Sequence, residues 1–159
     1  MSMEERIEKV LWSIALPGFG QILNGKFFKG LLFIILEFLI NVQSNLNQMI
    51  IYSFQGDIQS AIEQTNYQWL MFYPCLYMFA IWDAYRDAGG GKSPYSFLPF
   101  VFSAYFMTVG LIYSSSLKLF GSLLGPLFLS LLSVIPGIGV GLFIKSILGI
   151  LKTKKQLKS

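Results

Sequence analysis

The apolar residues of this chain fall in long runs, not in the strict alternation of a half-buried strand. Residues 10–23 form the first run, broken internally by Pro17-Gly18-Phe19-Gly20. At about 1.5 Å per residue it reaches about 21 Å, short of a hydrocarbon core of about 30 Å. Asn24-Gly25-Lys26 predicts a turn. The second run, 27–40, predicts a helix that continues to residue 50, with Val42, Leu46 and Ile50 on one face. Its other face carries Glu37, Asn41, Asn45 and Gln48, which line up as one polar stripe. Residues 55–68 are polar, with Asp57 and Glu63 but no Lys or Arg, so 51–68 reads as a loop with room for a short amphipathic helix.

Residues 69–82 are the next apolar run, bracketed by Trp69 and Trp82 as interfacial aromatics bracket a span. Asp83-Ala84-Tyr85-Arg86-Asp87 closes it, and a glycine-rich loop follows. The aromatic stretch 96–113 completes a helical hairpin over 69–113. Residues 119–151 are apolar but interrupted by Gly125-Pro126 and by Pro136-Gly137, so they read as a broken C-terminal segment. A basic tail, 152–159, ends the chain with Lys152, Lys154, Lys155 and Lys158.

Composition turns these runs into a fold class. Of 159 residues, 54% are hydrophobic and 13% charged, against about 25% charged in ordinary soluble domains. A soluble fold of this size cannot hide so much apolar surface. The expectation is all-α: a polytopic helical membrane protein forming one domain over 1–159. It would have about four full spans plus one or two broken or re-entrant segments. The first nine residues carry Glu4, Glu5 and Glu8 beside Arg6 and Lys9, and no small-residue cleavage site follows, so no cleavable signal peptide is expected. The lone Cys75 excludes an internal disulfide, and the absence of histidine excludes a His-based triad or zinc site.

Charge then orients the chain. If 10–23 dips in and returns, Arg6, Lys9, Lys26, Lys29, Arg86, Lys92 and the tail lysines share one side, and only Lys118 lies opposite. The positive-inside rule makes that side cytoplasmic, with 51–68 outside. A fully spanning first segment moves only Arg6 and Lys9, and charge leaves that version open. The tail beside an apolar run points to an anionic leaflet of membrane lipids, not to nucleic acid.

The stretch Leu16-Pro17-Gly18-Phe19-Gly20-Gln21-Ile22-Leu23-Asn24-Gly25-Lys26, with Gly30, resembles the opening of small bacterial multi-pass membrane proteins related to the two-transmembrane-helix domain family. The resemblance covers about residues 10–50, and Trp82-Asp83-Ala84-Tyr85 matches the Asp that often follows a later helix there. It implies a hairpin of a short apolar segment, a Gly-rich turn and a longer helix, in the bacterial cytoplasmic membrane. It implies no activity. From the residues themselves, Pro17, Gly18, Gly20, Gln21, Asn24 and Gly25 make a close-packed turn or a ligand-binding half-helix. Ile135-Pro136-Gly137-Ile138-Gly139 echoes the first five residues of that stretch, an echo that chance in a Gly-rich apolar chain accounts for.

Little else carries chemistry. Gly89-Gly90-Gly91-Lys92-Ser93 lacks the first glycine of a phosphate-binding loop and is followed by Pro94, so it reads as a loop. Asp83 and Asp87 share a helical face on the cytoplasmic side and read as structural acids paired with Arg86, Lys92 or Lys29. The competing reading is a metal-assisted lipid phosphotransfer, which needs further carboxylates. Glu37 lies about 12–15 Å into its helix. It belongs either to a polar path with Asn41, Asn45 and Gln48, or to hydrogen bonds with Ser103, Tyr105 or Thr108. Gly121-x-x-x-Gly125 and Gly137-x-x-x-Gly141 permit close helix contact, within the chain or with a partner subunit. These features favour a non-enzymatic membrane subunit or accessory factor without metal or cofactor, working with a protein partner or as a homo-oligomer. A small transporter built on Glu37 is the alternative, and a lipid-headgroup-modifying enzyme using Asp83 and Asp87 is the weaker one.

Overall fold

The computed structural model describes residues 2–156 and is mostly helical. Residues 157–159, including Lys158 of the basic tail, lie outside the described residues, as does the side chain of Lys155. Helix α1 (Met3–Ala15) starts at Ser2, whose hydroxyl accepts from Glu5 N–H at 3.1 Å while the Glu5 carboxylate accepts Ser2 N–H at 2.9 Å. That reciprocal pair satisfies two donors that a helix start leaves open. Pro17 and Gly18 end the helix direction. Gly18 has φ of 109°, a left-handed conformation that glycine adopts without penalty, and α2 (Phe19–Leu23) runs on from it. After Asn24-Gly25-Lys26 comes α3 (Phe27–Ser44).

Helix α3 stops short of the expected residue 50. Asn45 sits at φ 58° and α4 (Leu46–Phe54) is a separate helix. Asn is among the few residues that visit this conformation readily. Tertiary bonds hold the break: Asn45 Nδ2 donates to Gln64 O at 2.9 Å, and Asn66 N–H donates to Ser44 O at 3.1 Å. The expected loop 51–68 folds instead into the end of α4, α5 (Ile58–Gln64) and the start of α6 (Tyr67–Leu70). Leu46, Met49, Ala61, Leu70 and Leu111 form one buried apolar cluster there.

Helix α7 (Tyr73–Asp87) carries Pro74 in its first turn, where its missing N–H has no role, and α8 (Leu98–Tyr113) follows the glycine-rich loop. A two-stranded hairpin, β1 (Lys118–Leu119) and β2 (Ser122–Leu123), precedes α9 (Gly125–Gln156). The break expected at Pro136 is absent, because α9 runs through it. Proline removes one helix hydrogen bond, but the next turns are seated on α8. A side chain at Gly137 would meet Ser103 Cα at 2.7 Å, and one at Gly141 would meet Pro99 Cα at 2.5 Å. Gly110 approaches Ser130 Cα in the same way, at 3.0 Å. These contacts define an antiparallel α8–α9 hairpin packed backbone to backbone. Gly121 plays no such part: it lies in the β-turn with open space around it.

Among the described residues, Phe27–Ser44 and Gly125–Lys152 are long and apolar enough to cross a membrane, and α8 is apolar but shorter. Their apolar side chains point outward as well as inward: Phe28, Phe38, Ile135 and Phe143 are all exposed.

Candidate functional site

The N-terminal helices form a hairpin laid along α7. Arg6, Ile7 and Val10 of α1 share a cavity with Tyr85. Farther along, Tyr77 Oη donates to Ile14 O at 2.7 Å. Past the Pro17-Gly18 tip the chain returns: Gln21 Nε2 donates to Ala80 O at 2.8 Å, and Asn24 Nδ2 donates to Ala84 O at 2.9 Å. The hairpin therefore runs about 10 Å along α7, from the level of Ala84 to that of Tyr77, and comes back. The tip is closed by small residues. A side chain at Gly18 would meet Ile34 Cγ1 at 2.7 Å, and one at Gly30 would meet Gly18 O at 2.7 Å. Gly20 sits against Ser13 and Ala84, while Gly25, at φ 74°, faces open space.

Where α2, α3 and α7 meet lies Asp83, only 2% exposed. Its Oδ1 accepts from Lys29 Nζ at 3.0 Å and from Arg86 Nη2 at 2.7 Å, and its Oδ2 accepts from Gln21 Nε2 at 3.2 Å. Lys29 Nζ also reaches Asp87 Oδ2 at 2.7 Å. A buried carboxylate is tolerated when it is paired and its lone pairs are used, and here both oxygens are engaged. Helical spacing places Asp83, Arg86 and Asp87 on one face of α7, and Lys29 enters from the first turn of α3. The Gln21 and Asn24 amides are oriented by the backbone carbonyls they donate to. Gln21 Oε1 and Asn24 Oδ1 are then buried without a hydrogen-bond partner.

The structure thus brings the hairpin motif and the acid pair into one cluster, a convergence the separate readings of the sequence did not contain. The signal was present: Gln21, Asn24 and Lys29 are polar residues recurring in an otherwise apolar stretch. Lys92 takes no part in the ion pairs of the described residues.

The Glu37 stripe is not assembled as one helical face. Glu37, half-buried, hydrogen-bonds Asn41, and Tyr73 of α7 lies within electrostatic range. Asn41 Nδ2 donates across the break to Asn47 Oδ1 at 3.1 Å. Asn45 is the break itself, and Gln48 is exposed on α4. The expected bonds to Ser103, Tyr105 or Thr108 are not formed: Thr108 donates to Ala104 O at 2.9 Å, Tyr105 is exposed and Ser103 lies under Gly137.

Among the described residues, no three or more Cys, Asp or Glu side chains gather as a metal site would need. Comparison with protein-family models, with characterised proteins and with solved structures finds no match. The resemblance in the hairpin motif rests on its residues alone.

Proposed function

We propose that this chain is a multi-pass protein of the bacterial cytoplasmic membrane that works, without catalysis, as a subunit or accessory factor. The spans would be α3, α7, α8 and α9, with α1–α2 a re-entrant hairpin and the basic tail on the cytoplasmic side. The carrying observation is the Asp83 cluster. Its two carboxylates and two cations are engaged with one another across α3 and α7, and Gln21 ties in α2, while the outer faces of α3 and α9 are apolar. Charges turned toward one another across a helix interface support an architectural role. A hairpin that starts and ends at one level of α7 also keeps Arg6, Lys9, Lys26 and Lys29 on one side, as the positive-inside rule prefers. The resemblance to relatives of the two-transmembrane-helix domain family agrees with this reading, because Gln21 of the motif bonds Asp83 and Asn24 fixes the same hairpin to the Ala84 carbonyl. Purification in mild detergent tests it. A stable protein partner or a defined homo-oligomer is expected, and a monomer with substrate-dependent flux in liposomes would overturn it.

The transporter reading keeps one observation in its favour, the half-buried Glu37 beside Asn41 and Tyr73. The interruption at Asn45 weighs against a continuous path.

A further inference from the structure

Between α3 and α7 runs an open groove of about 850 Å³. Its walls are apolar, from Phe33, Leu36 and Ile40 on one helix and Phe72, Leu76 and Phe79 on the other. One end is charged: Lys29, Asp83 and Arg86 line it. From Lys29 to Ile40 the groove follows α3 for about 16 Å, close to the half-thickness of a hydrocarbon core of about 30 Å. An apolar channel one leaflet deep with a polar head matches the anatomy of a single phospholipid.

The charged end discriminates among headgroups. Two cations and two carboxylates cancel, so a headgroup of net negative charge meets as much repulsion as attraction. The cations are the outer members: Arg86 and Lys29 side chains are 50% and 35% exposed, against 14% and 2% for Asp87 and Asp83. Arg86 uses Nη2 toward Asp83, and a guanidinium has five donors. Asp87 Oδ1 stands 3.8 Å from Arg86, too far for a good hydrogen bond. A phosphodiester on Arg86 and Lys29 at the groove's end leaves a primary ammonium to reach just beyond it to Asp87, which lies 2.7 Å from Lys29 and has its Oδ1 without a close donor. A quaternary ammonium has no N–H to donate. We infer that the α3–α7 groove binds a zwitterionic phospholipid with a primary-amine headgroup, its acyl chain between the two helices and its phosphate on Arg86 and Lys29.

This inference rests on the membrane reading above, and the test separates the two. Trp69 lines the groove and serves as reporter in a Trp12→Phe/Trp82→Phe background. The full chain is reconstituted in phosphatidylcholine vesicles, and flotation is read first. Protein that does not float overturns both readings. For floating protein, chain-brominated phosphatidylethanolamine is added at low mole fraction and compared with equally brominated phosphatidylcholine and phosphatidylglycerol. The ethanolamine lipid is expected to quench Trp69 with about threefold higher apparent affinity, the scale of a partly exposed charge pair. Arg86→Gln should abolish that preference. Leu36→Phe/Leu76→Phe, which narrows the groove without touching an ion pair, should reduce quenching by the ethanolamine lipid to the phosphatidylcholine level. Equal quenching by the three lipids, stronger quenching by the anionic one, or a preference that survives both variants would overturn the inference and leave the membrane reading standing.

Discussion

Replacing Asp83 by Asn keeps the shape of the side chain and removes its charge. In the native cluster Oδ1 holds Lys29 and Arg86, and Oδ2 holds Gln21 Nε2. An amide in this place has one oxygen and one NH2. If the oxygen faces the two cations, the NH2 meets the Gln21 NH2, donor against donor. If it is turned round, the NH2 meets Lys29 and Arg86. Either way at least one contact becomes repulsive, and both cations lose Asp83, with Lys29 keeping only Asp87. Breaking a buried ion pair costs about 3–5 kcal/mol. Lys29 and Arg86 are partly exposed and regain water, so that figure is discounted to about 2 kcal/mol. In the first orientation the Gln21 N–H not bonded to Ala80 O is left without an acceptor, which adds about 1 kcal/mol.

Reversible unfolding in mixed micelles by SDS titration, followed by far-UV circular dichroism, measures the loss. The decisive comparison is the exchange Gln21→Glu/Asp83→Asn. Gln21→Glu alone puts a second carboxylate beside Asp83 and should destabilise. Together the substitutions move one carboxylate from α7 to α2 and restore charge balance. The pair should then be at least about 1 kcal/mol more stable than the sum of the singles, since residues in one network couple by about 0.5–3 kcal/mol. Loss below about 0.5 kcal/mol for Asp83→Asn, or additivity of the pair within about 0.5 kcal/mol, would refute the account of the cluster.

Gly18→Ala should cost about 2–3 kcal/mol in the same assay, since φ is 109° and the added carbon meets Ile34 and the Gly30 carbonyl, whereas Gly25→Ala meets nothing and should cost about 1 kcal/mol. Asp57 caps α5, and the hydrogen bonds from Ser60 hold its carboxyl below the usual aspartate value. A lowered pKa means that the cap's contribution is complete above the ordinary value of about 3.9 and disappears as pH falls through the lower folded value, so exchange of the Ser60 amide should accelerate only in that acid range. Gln59→Cys in a Cys75→Ser background should be labelled by a membrane-impermeant maleimide from the extracytoplasmic side; labelling from the cytoplasmic side alone contradicts the topology. Glu37→Gln should preserve stability and phenotype if Glu37 only bonds Asn41, whereas loss of phenotype at unchanged stability would raise the transporter reading above the subunit one.

How far these features were legible in the residues varies for physical reasons. Long apolar runs predict helices wherever they occur, and α3, α7, α8 and α9 lie where those runs lie. The interruption at Asn45 was hidden because the polar spacing continues smoothly across it, and only the bonds from Asn45 to Gln64 and from Asn66 to Ser44 reveal the break. Pro136 misled in the opposite sense. Proline signals a helix end when nothing holds the next turn, and here Gly137 and Gly141 are pressed onto α8. The β1–β2 turn was invisible for a different reason. Phe120 and Gly121 both have positive φ, the geometry of a tight hairpin, yet the first position holds Phe where Asn or Asp is the usual signal. Glu37 points to partners on α8 because polar residues there are the obvious candidates, but its hydrogen-bond partner is Asn41 on its own helix, with Tyr73 of α7 within electrostatic range.

The packing and polar halves of the hairpin motif depend on each other. Gly20 carries no polar side chain, yet its lack of one is what lets α2 close on Lys9 and Ser13 of α1 and on Ala84 of α7. That approach sets the distance from which the next residue, Gln21, reaches both Ala80 O and Asp83. A larger residue at 20 would push α2 outward by about the radius of a methyl group, and hydrogen bonds of 2.8 and 3.2 Å do not survive such a shift. The loss would then pass to Asp83, whose burial is tolerable only while its oxygens are engaged. Small residues at the tip and amides at the base are therefore one device. Substituting Gly20 should produce the phenotype of Asp83→Asn without altering any charge, and that equivalence follows from the geometry of the interface, not from the chemistry of glycine.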